Sequence, residues 1–134
     1  MTAIVDVEGI GPTYAQKLNE AGIKTVEALL EAGRTRSGRA GLAESVGVTP
    51  QQVLEWVNRA DLARLNGVGS EYADLLEAAG VDSCRELAQR NAANLTAAMQ
   101  QLNETKKIVR RVPTESQVQG WIAEAKTLQV AVEH

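Results

Sequence analysis

The chain has 134 residues, a formal net charge of −3 and 44% hydrophobic residues, enough for one small domain or two very small ones. Phenylalanine is absent while alanine, leucine, glutamate and glutamine are common, so the composition favours helices over sheets. One cysteine excludes an internal disulfide framework, and the single histidine, His134, argues against a zinc site or a histidine-based triad. The sequence has no bilayer-length apolar run and no signal-peptide pattern, so we expect a cytoplasmic protein.

Glycine and proline divide the first half of the chain into short helices. Pro12 and Pro50 suit first helical positions, and glycines follow the predicted helix ends. The run Gly-Arg-Thr-Arg-Ser-Gly-Arg at 33–39 predicts a loop. The predicted helices of this half cover residues 12–21, 26–32, 40–46 and 50–59.

The second half repeats the pattern of the first. Gly9-Ile10-Gly11 is matched by Gly67-Val68-Gly69 at an offset of 58, and Trp56 is matched by Trp121 at an offset of 65. The difference, 65 − 58 = 7, places an insertion of seven residues around 106–113. The predicted helices of this half cover residues 70–79, 84–90, 92–102, 105–111 and 114–129.

These elements predict an all-α fold built from two tandem repeats of short helices. The first repeat covers residues 1–62 and the second covers residues 63–134. Each half is near the lower size limit for an independent core, so we expect the two repeats to pack into one compact body. No stretch alternates with a period of two residues for long enough to predict a strand.

The two Gly-x-Gly turns have a physical use beyond connecting helices. Two glycines allow a sharp backbone turn, and the helix that follows begins with unpaired amides at the positive end of its dipole. Such a turn holds a phosphate without a basic side chain, although the same turn also occurs where nothing binds. The candidate binding residues from this argument are Gly9, Gly11, Thr13, Lys17, Gly67 and Gly69. Glu71 would repel a phosphate at the second turn, which makes the first turn the better candidate.

Two clusters of basic residues are further candidates for phosphate contacts. The first consists of Arg34, Arg36 and Arg39 in the predicted loop. The second consists of Lys106, Lys107, Arg110 and Arg111, which would form two rows, 106/110 and 107/111, on the predicted helix 105–111. Each cluster suits a phosphate backbone or an acidic protein surface, and each also fits an ordinary solvated face.

Several conspicuous side chains are better explained by packing. Trp56 and Trp121 share helical faces with aliphatic residues, so we predict that they anchor the core. Tyr14 and Tyr72 occupy matching positions, which favours packing over stacking on a ligand. Cys84 replaces a valine of the first repeat, so we expect it to be buried.

The segments 7–18 and 21–30 resemble the helix-hairpin-helix superfamily. The segments 56–62, 67–81, 111–113 and 121–122 carry a closer resemblance to one family within it. Nearly the whole chain resembles an uncharacterised bacterial family of that superfamily, a domain of unknown function. The resemblance implies paired hairpins of the kind that grip a duplex backbone without reading sequence, and that sometimes hold a monovalent cation through backbone carbonyls. Thr13 and Tyr14 stand where DNA-binding hairpins usually carry lysine or arginine.

The sequence therefore predicts a non-catalytic binding module without a cofactor, a metal site or catalytic residues. The leading hypothesis is sequence-independent binding of a nucleic-acid backbone, most readily DNA, through the first hairpin and the basic clusters. The alternative is a protein-interaction or scaffold module that does not bind nucleic acid. A third hypothesis is a small ligand bound in a cleft between the repeats.

Overall fold

A computed structural model describes residues 4, 7, 10–128 and 131–133 of the chain. The described residues are mainly helical and contain no β-strand, so the predicted all-α class is confirmed. The helices are α1 (Pro12–Glu20), α2 (Val26–Ala32), α3 (Arg36–Val46), α4 (Pro50–Leu62), α5 (Ser70–Ala78), α6 (Cys84–Leu87), α7 (Ala92–Lys106) and α8 (Glu115–Thr127). Every predicted helix except the one at 105–111 has a counterpart among them.

Helix α3 begins inside the segment that the sequence predicts as a loop. The Thr35 hydroxyl accepts a hydrogen bond from the amide of Gly38 at 3.1 Å, so Thr35 caps a helix that starts at Arg36. A Cβ on Gly38 would collide with the carbonyl oxygen of Ala32, so this glycine permits a close approach of two backbones. The loop prediction is therefore wrong for residues 36–39, because the capping threonine sets the helix start.

Helix α7 ends before the segment that the sequence predicts as a further helix. Lys107 follows α7 in the left-handed region, with φ of 49° and ψ of 49°, and residues 107–113 are not helical. The Asn103 side chain donates to the carbonyl oxygen of Val109 at 3.0 Å and accepts from its amide at 2.9 Å. The predicted helix 105–111, with its two rows of cations, is therefore wrong. The aliphatic Val109 is buried in this loop, and the Asn103 amide satisfies its backbone.

The chain forms two compact units, and each has its own hydrophobic cluster. The first unit consists of Met1–Asp61 and Ala131–His134, and the second consists of Leu62–Val130. Trp56 is a buried member of the first cluster and Trp121 of the second, which confirms the prediction that both tryptophans anchor cores. Cys84 is also buried, as its valine counterpart suggests.

Residues that match at the offset of 58 have the same local backbone in the two units. Gly11 and Gly69 precede α1 and α5 in extended conformations, with φ of −83° and −91°. Gly22 and Gly80 follow the same two helices with φ of +90° and +93°, a region that favours glycine. In both units the amide after that glycine donates to a carbonyl oxygen five residues earlier at 2.8 Å. The sequence repeat therefore corresponds to a repeated helix start and helix stop.

Candidate nucleic-acid interface

The start of α1 is the described part of the first Gly-x-Gly turn, since Gly9 lies outside the described residues. Gly11 is the N-cap of α1 and makes no side-chain cap, so the first amides of the helix rely on other acceptors. Thr13 and Lys17 are exposed on the same helix. The start of α1 can therefore offer backbone amides to an anion, whereas Lys17 lies in the last turn of the helix.

The two tyrosines near the starts of α1 and α5 pack against the two core tryptophans. The ring centroids of Tyr14 and Trp56 are 5.2 Å apart with an interplanar angle of 54°. Those of Tyr72 and Trp121 are 5.3 Å apart with an angle of 52°. Such tilted pairs are favourable aromatic contacts, so packing accounts for both tyrosines as the sequence predicts. Lys17 Nζ lies 5.9 Å from the centroid of the Tyr14 ring, a cation–π arrangement that restrains this cation beside Tyr14.

A groove of about 540 Å³ lies beside Lys17 in the first unit. Its other lining residues are Glu20, Ala21, Ser45 and Val46. One ammonium group and one carboxylate line the same groove, so its charge does not select an anionic small molecule.

The first basic cluster does not form a free basic surface. Arg39 is only 4% exposed, and its guanidinium donates to the carbonyl oxygens of Gly33 at 2.9 Å, Arg34 at 3.0 Å and Glu133 at 2.7 Å. Desolvation lowers the pKa of Arg39, and the neighbouring Arg36 lowers it further, while Glu133 partly offsets both. Arg39 is thus a structural cation, and the prediction that it contacts phosphates is replaced by this buried role.

The two remaining arginines of the first cluster differ in their partners. Arg34 Nε lies 2.9 Å from Oε2 of Glu133 and forms an exposed ion pair with it. Arg36 is exposed in the first turn of α3. A cation at a helix N-terminus opposes the helix dipole, so Arg36 is electrostatically available to an anion.

The second Gly-x-Gly turn is held by contacts within the second unit. Gly67 has φ of +84°, and a Cβ there would lie 3.6 Å from Nε1 of Trp121. The residue before Gly67 is tied to α8, because the amide of Asn66 donates to Oε1 of Glu124 at 3.0 Å. Glu71 is exposed in the first turn of α5, where a carboxylate suits the helix dipole and repels a phosphate.

The second basic cluster covers the last residue of α7 and the loop that follows it. We call residues Lys106–Arg111 the basic loop. Its four cations, Lys106, Lys107, Arg110 and Arg111, are all exposed, and none has a hydrogen bond or ion pair from its side chain within the described part of the chain. Because the loop is fixed by Asn103 and by buried Val109, its charges are presented on an ordered backbone.

A tyrosine joins the basic loop to α5, the helix that follows the second Gly-x-Gly turn. The Tyr72 hydroxyl donates to the carbonyl oxygen of Arg111 at 3.2 Å. Tyr72 lies on α5, three residues after Gly69. The fold therefore places the basic loop beside the start of α5, a juxtaposition that the sequence argument does not include. The Asn103 side chain and the Tyr72 hydroxyl position the basic loop, and the sequence analysis does not identify either group.

Residues 4, 7, 10–128 and 131–133 contain no group of three or more histidine, cysteine, aspartate or glutamate side chains arranged to hold a metal ion. Among the same residues, no helix has the length and apolarity required to cross a membrane.

A family match covers most of the chain. The model of a domain of unknown function, DUF4332, matches residues 8–128, and the chain belongs to this family. Searches of curated proteins and of solved structures gave no significant match. The family description names no activity, so any function must be inferred from the residues of the site.

Proposed function

We propose that the chain is a cytoplasmic, non-catalytic module of two tandem helix-hairpin-helix repeats that binds a nucleic-acid backbone without reading its sequence. The observation that carries the proposal is the basic loop: four exposed cations within six residues, on a backbone fixed by the Asn103 side chain. Phosphate contacts of this kind position a protein on nucleic acid and carry no sequence information. The repeated backbone around Gly11 and Gly69 supports the helix-hairpin-helix part of the proposal.

The electrostatics of the basic loop favour an anionic partner over an internal role. Its cations are free of ion pairs within the described residues, so binding a phosphate breaks no existing contact. Arg34 differs, because its pair with Glu133 would have to open first. We therefore assign the phosphate contacts to the basic loop, while Lys17 and Arg36 stay separate candidates within the first unit.

The helix start beside the basic loop adds backbone donors to the proposed surface. Gly69 gives α5 no side-chain cap, so the amides of its first turn can serve as donors. The Tyr72 hydroxyl of that turn is hydrogen-bonded to Arg111 of the basic loop. Glu71 of the same turn opposes a phosphate, which predicts modest affinity and a gain when its charge is removed. This arrangement shifts the main contact from the first hairpin, which the sequence favours, to the surroundings of the second.

The experiment is fluorescence anisotropy with a labelled 20-base-pair duplex and a matched single strand. Four phosphate contacts give a log–log salt slope near −3.6, so affinity should fall roughly 10²-fold between about 50 and 200 mM salt. Duplexes of unrelated sequence should bind equally, since the contacts reach no base edge. Single-strand binding stronger than duplex binding would redirect the proposal to single-stranded nucleic acid.

Two double variants of equal net charge distinguish the effect of the basic loop on binding from the effect of net charge. Arg110→Glu/Arg111→Glu should abolish measurable binding at about 200 mM salt. Arg85→Glu/Lys126→Glu changes the net charge equally at two exposed residues outside the loop, and should weaken binding much less. Equal losses in both variants, or flat titrations of the wild-type chain at low salt, would overturn the proposal. The alternative of an acidic protein partner would then take its place.

A further inference from the structure

The C-terminal segment Ala131–Glu133 belongs to the first unit and has no helical structure. Val132 is 2% exposed and is part of the hydrophobic cluster of that unit, with Ala131 packed against the same cluster. Glu133 is exposed. The segment thus inserts one aliphatic side chain into the unit and keeps the acidic side chain that follows it at the surface.

Both backbone polar groups of Glu133 are bound by the first unit. Its amide donates to the carbonyl oxygen of Arg34 at 2.8 Å, and its carbonyl oxygen accepts from Nη2 of Arg39 at 2.7 Å. Its carboxylate lies 2.9 Å from Nε of Arg34. Pairing of an extended segment through its main chain, with selectivity from flanking side chains, is a recurring mode of peptide recognition.

Arg39 is held ready for this contact by groups that do not belong to the segment. Its Nη1 donates to the carbonyl oxygens of Gly33 and Arg34, which fixes the guanidinium from one side. A Cβ on Gly33 would collide with the side chain of Val57 and lie 3.6 Å from Cγ of Arg39. Glycine at position 33 therefore lets the backbone lie close to the side chains of Val57 and Arg39. Nη2 of Arg39 remains to donate to a third carbonyl oxygen.

We propose that the first unit carries a docking groove for an extended peptide in which an aliphatic residue precedes an acidic one, and that Val132–Glu133 of the same chain fills this groove as a removable clasp. Burial of the aliphatic side chain supplies affinity, and the two main-chain hydrogen bonds fix the register. Arg34 and Arg39 supply the positive charge that selects an acidic residue at the second position. The exposed ion pair is a weak contact, with side chains 56% and 54% exposed, which suits a clasp that opens.

The groove is tested in the full chain with the clasp weakened. Val132→Ser removes the aliphatic anchor, and a labelled peptide with the sequence of residues 128–134 is then titrated by anisotropy. The peptide should bind this variant at least about tenfold more tightly than the wild-type chain, because a tethered segment competes at an effective concentration near the millimolar range. A peptide with serine at the Val132 position should not bind. Val112→Ser, a matched change of a half-buried valine in the second unit, should leave peptide binding at the wild-type level.

A charge swap tests direct pairing with the acidic residue. In the Val132→Ser background, Arg34→Glu should lower the affinity for the wild-type peptide by about two- to fivefold, as expected for an exposed ion pair. A peptide with lysine in place of Glu133 should then recover that loss. The proposal is overturned if a folded Val132→Ser variant does not bind the wild-type peptide. It is also overturned if that variant binds the wild-type and serine peptides equally.

Amide exchange of the wild-type chain gives a second test that does not depend on a folded variant. The Glu133 amide should be protected, because it donates to Arg34, yet should exchange faster than the amide of Leu29 in the core of the unit. An unprotected Glu133 amide would show that the groove is empty in solution. Equal exchange rates at Glu133 and Leu29 would show that the C-terminal segment is a permanent part of the core. Either result contradicts a removable clasp.

Discussion

Tyr72 connects two parts of the second unit through one side chain. Its ring packs against Trp121 and its hydroxyl donates to the carbonyl oxygen of Arg111. Tyr14 repeats the ring contact in the first unit, but its hydroxyl makes no hydrogen bond within the described residues. The two tyrosines therefore form a matched pair that differs by one hydrogen bond.

We expect Tyr72→Phe to reduce the free energy of unfolding by about 0.5–1.5 kcal/mol, the usual net value of one hydrogen bond. Tyr14→Phe should change it by only a few tenths of a kcal/mol, roughly the scatter of surface substitutions. Urea denaturation at constant m-value measures both. Equal effects of the two substitutions would show that the Tyr72–Arg111 bond is absent in solution.

Arg39 shows how burial changes the meaning of a charged residue. Its guanidinium is surrounded by three carbonyl oxygens, and desolvation lowers its pKa. A buried cation in such a site orders the backbone around it, because each carbonyl oxygen must stay within hydrogen-bond distance. The same residue type in the basic loop is solvated and free to meet an anion.

At the scale of elements, two glycines end matching helices in a conformation that other residues rarely adopt. Gly22 and Gly80 have φ of +90° and +93°, and a Cβ on Gly22 would meet no atom within 4 Å. A substitution at Gly22 therefore tests backbone strain alone. At Gly80 the added Cβ would also lie 3.1 Å from Nη2 of Arg90, the flexible end of a side chain.

Gly22→Ala and Gly80→Ala should each lower the free energy of unfolding by about 1–2 kcal/mol, because the left-handed region is strained for alanine. Gly120→Ala is the matched control, since Gly120 is exposed inside α8 and a Cβ there meets no atom within 4 Å. It should raise stability by about 0.5–1 kcal/mol, because alanine is the better helix former. Thermal and urea unfolding measure these changes. A neutral Gly22→Ala would contradict the conformation of that turn.

The end of α7 is decided by competition between two local structures. Continued helix would have placed the four cations in two rows, whereas the loop buries Val109 and satisfies its backbone through Asn103. Burial of an aliphatic side chain contributes about 1.5–3 kcal/mol, which exceeds the helix propensity of the few residues concerned. Tertiary burial therefore wins at this point.

At the scale of the whole molecule, the two hydrophobic clusters share no residue. Leu29 and Leu87 occupy matching positions at the offset of 58, and both have 0% exposure. They test whether each unit depends on its own cluster.

Leu29→Ala and Leu87→Ala should each destabilise by about 2–5 kcal/mol, the usual cost of truncating a buried leucine. Hydrogen exchange with mass spectrometry should show faster exchange mainly in Met1–Asp61 for the first variant and in Leu62–Val130 for the second. Gln100→Ala, at an exposed position of α7, is the control and should leave both patterns unchanged. Uniform loss of protection along the chain in either variant would contradict separate dependence on the two clusters.

The sequence by itself determined the helical class, most helix positions and the buried tryptophans. These features depend on local chemistry: prolines at Pro12 and Pro50 start helices, glycines stop them, and aliphatic and aromatic residues recur at helical spacing. The sequence did not show which arginine of the first basic cluster is exposed and which is buried. Arg36 and Arg39 have similar neighbours in the sequence. Arg39 differs from Arg36 in its burial and in its hydrogen bonds to Gly33, Arg34 and the distant Glu133.

Only the tertiary structure decided where the candidate sites lie. The proximity of the basic loop to α5 depends on the Tyr72–Arg111 bond, which joins residues 39 positions apart. The membership of Val132 in the first unit likewise depends on contacts with residues about a hundred positions earlier. Local propensity carries no information about such pairs, because their free energy comes from burial and hydrogen bonds that exist only once distant segments meet.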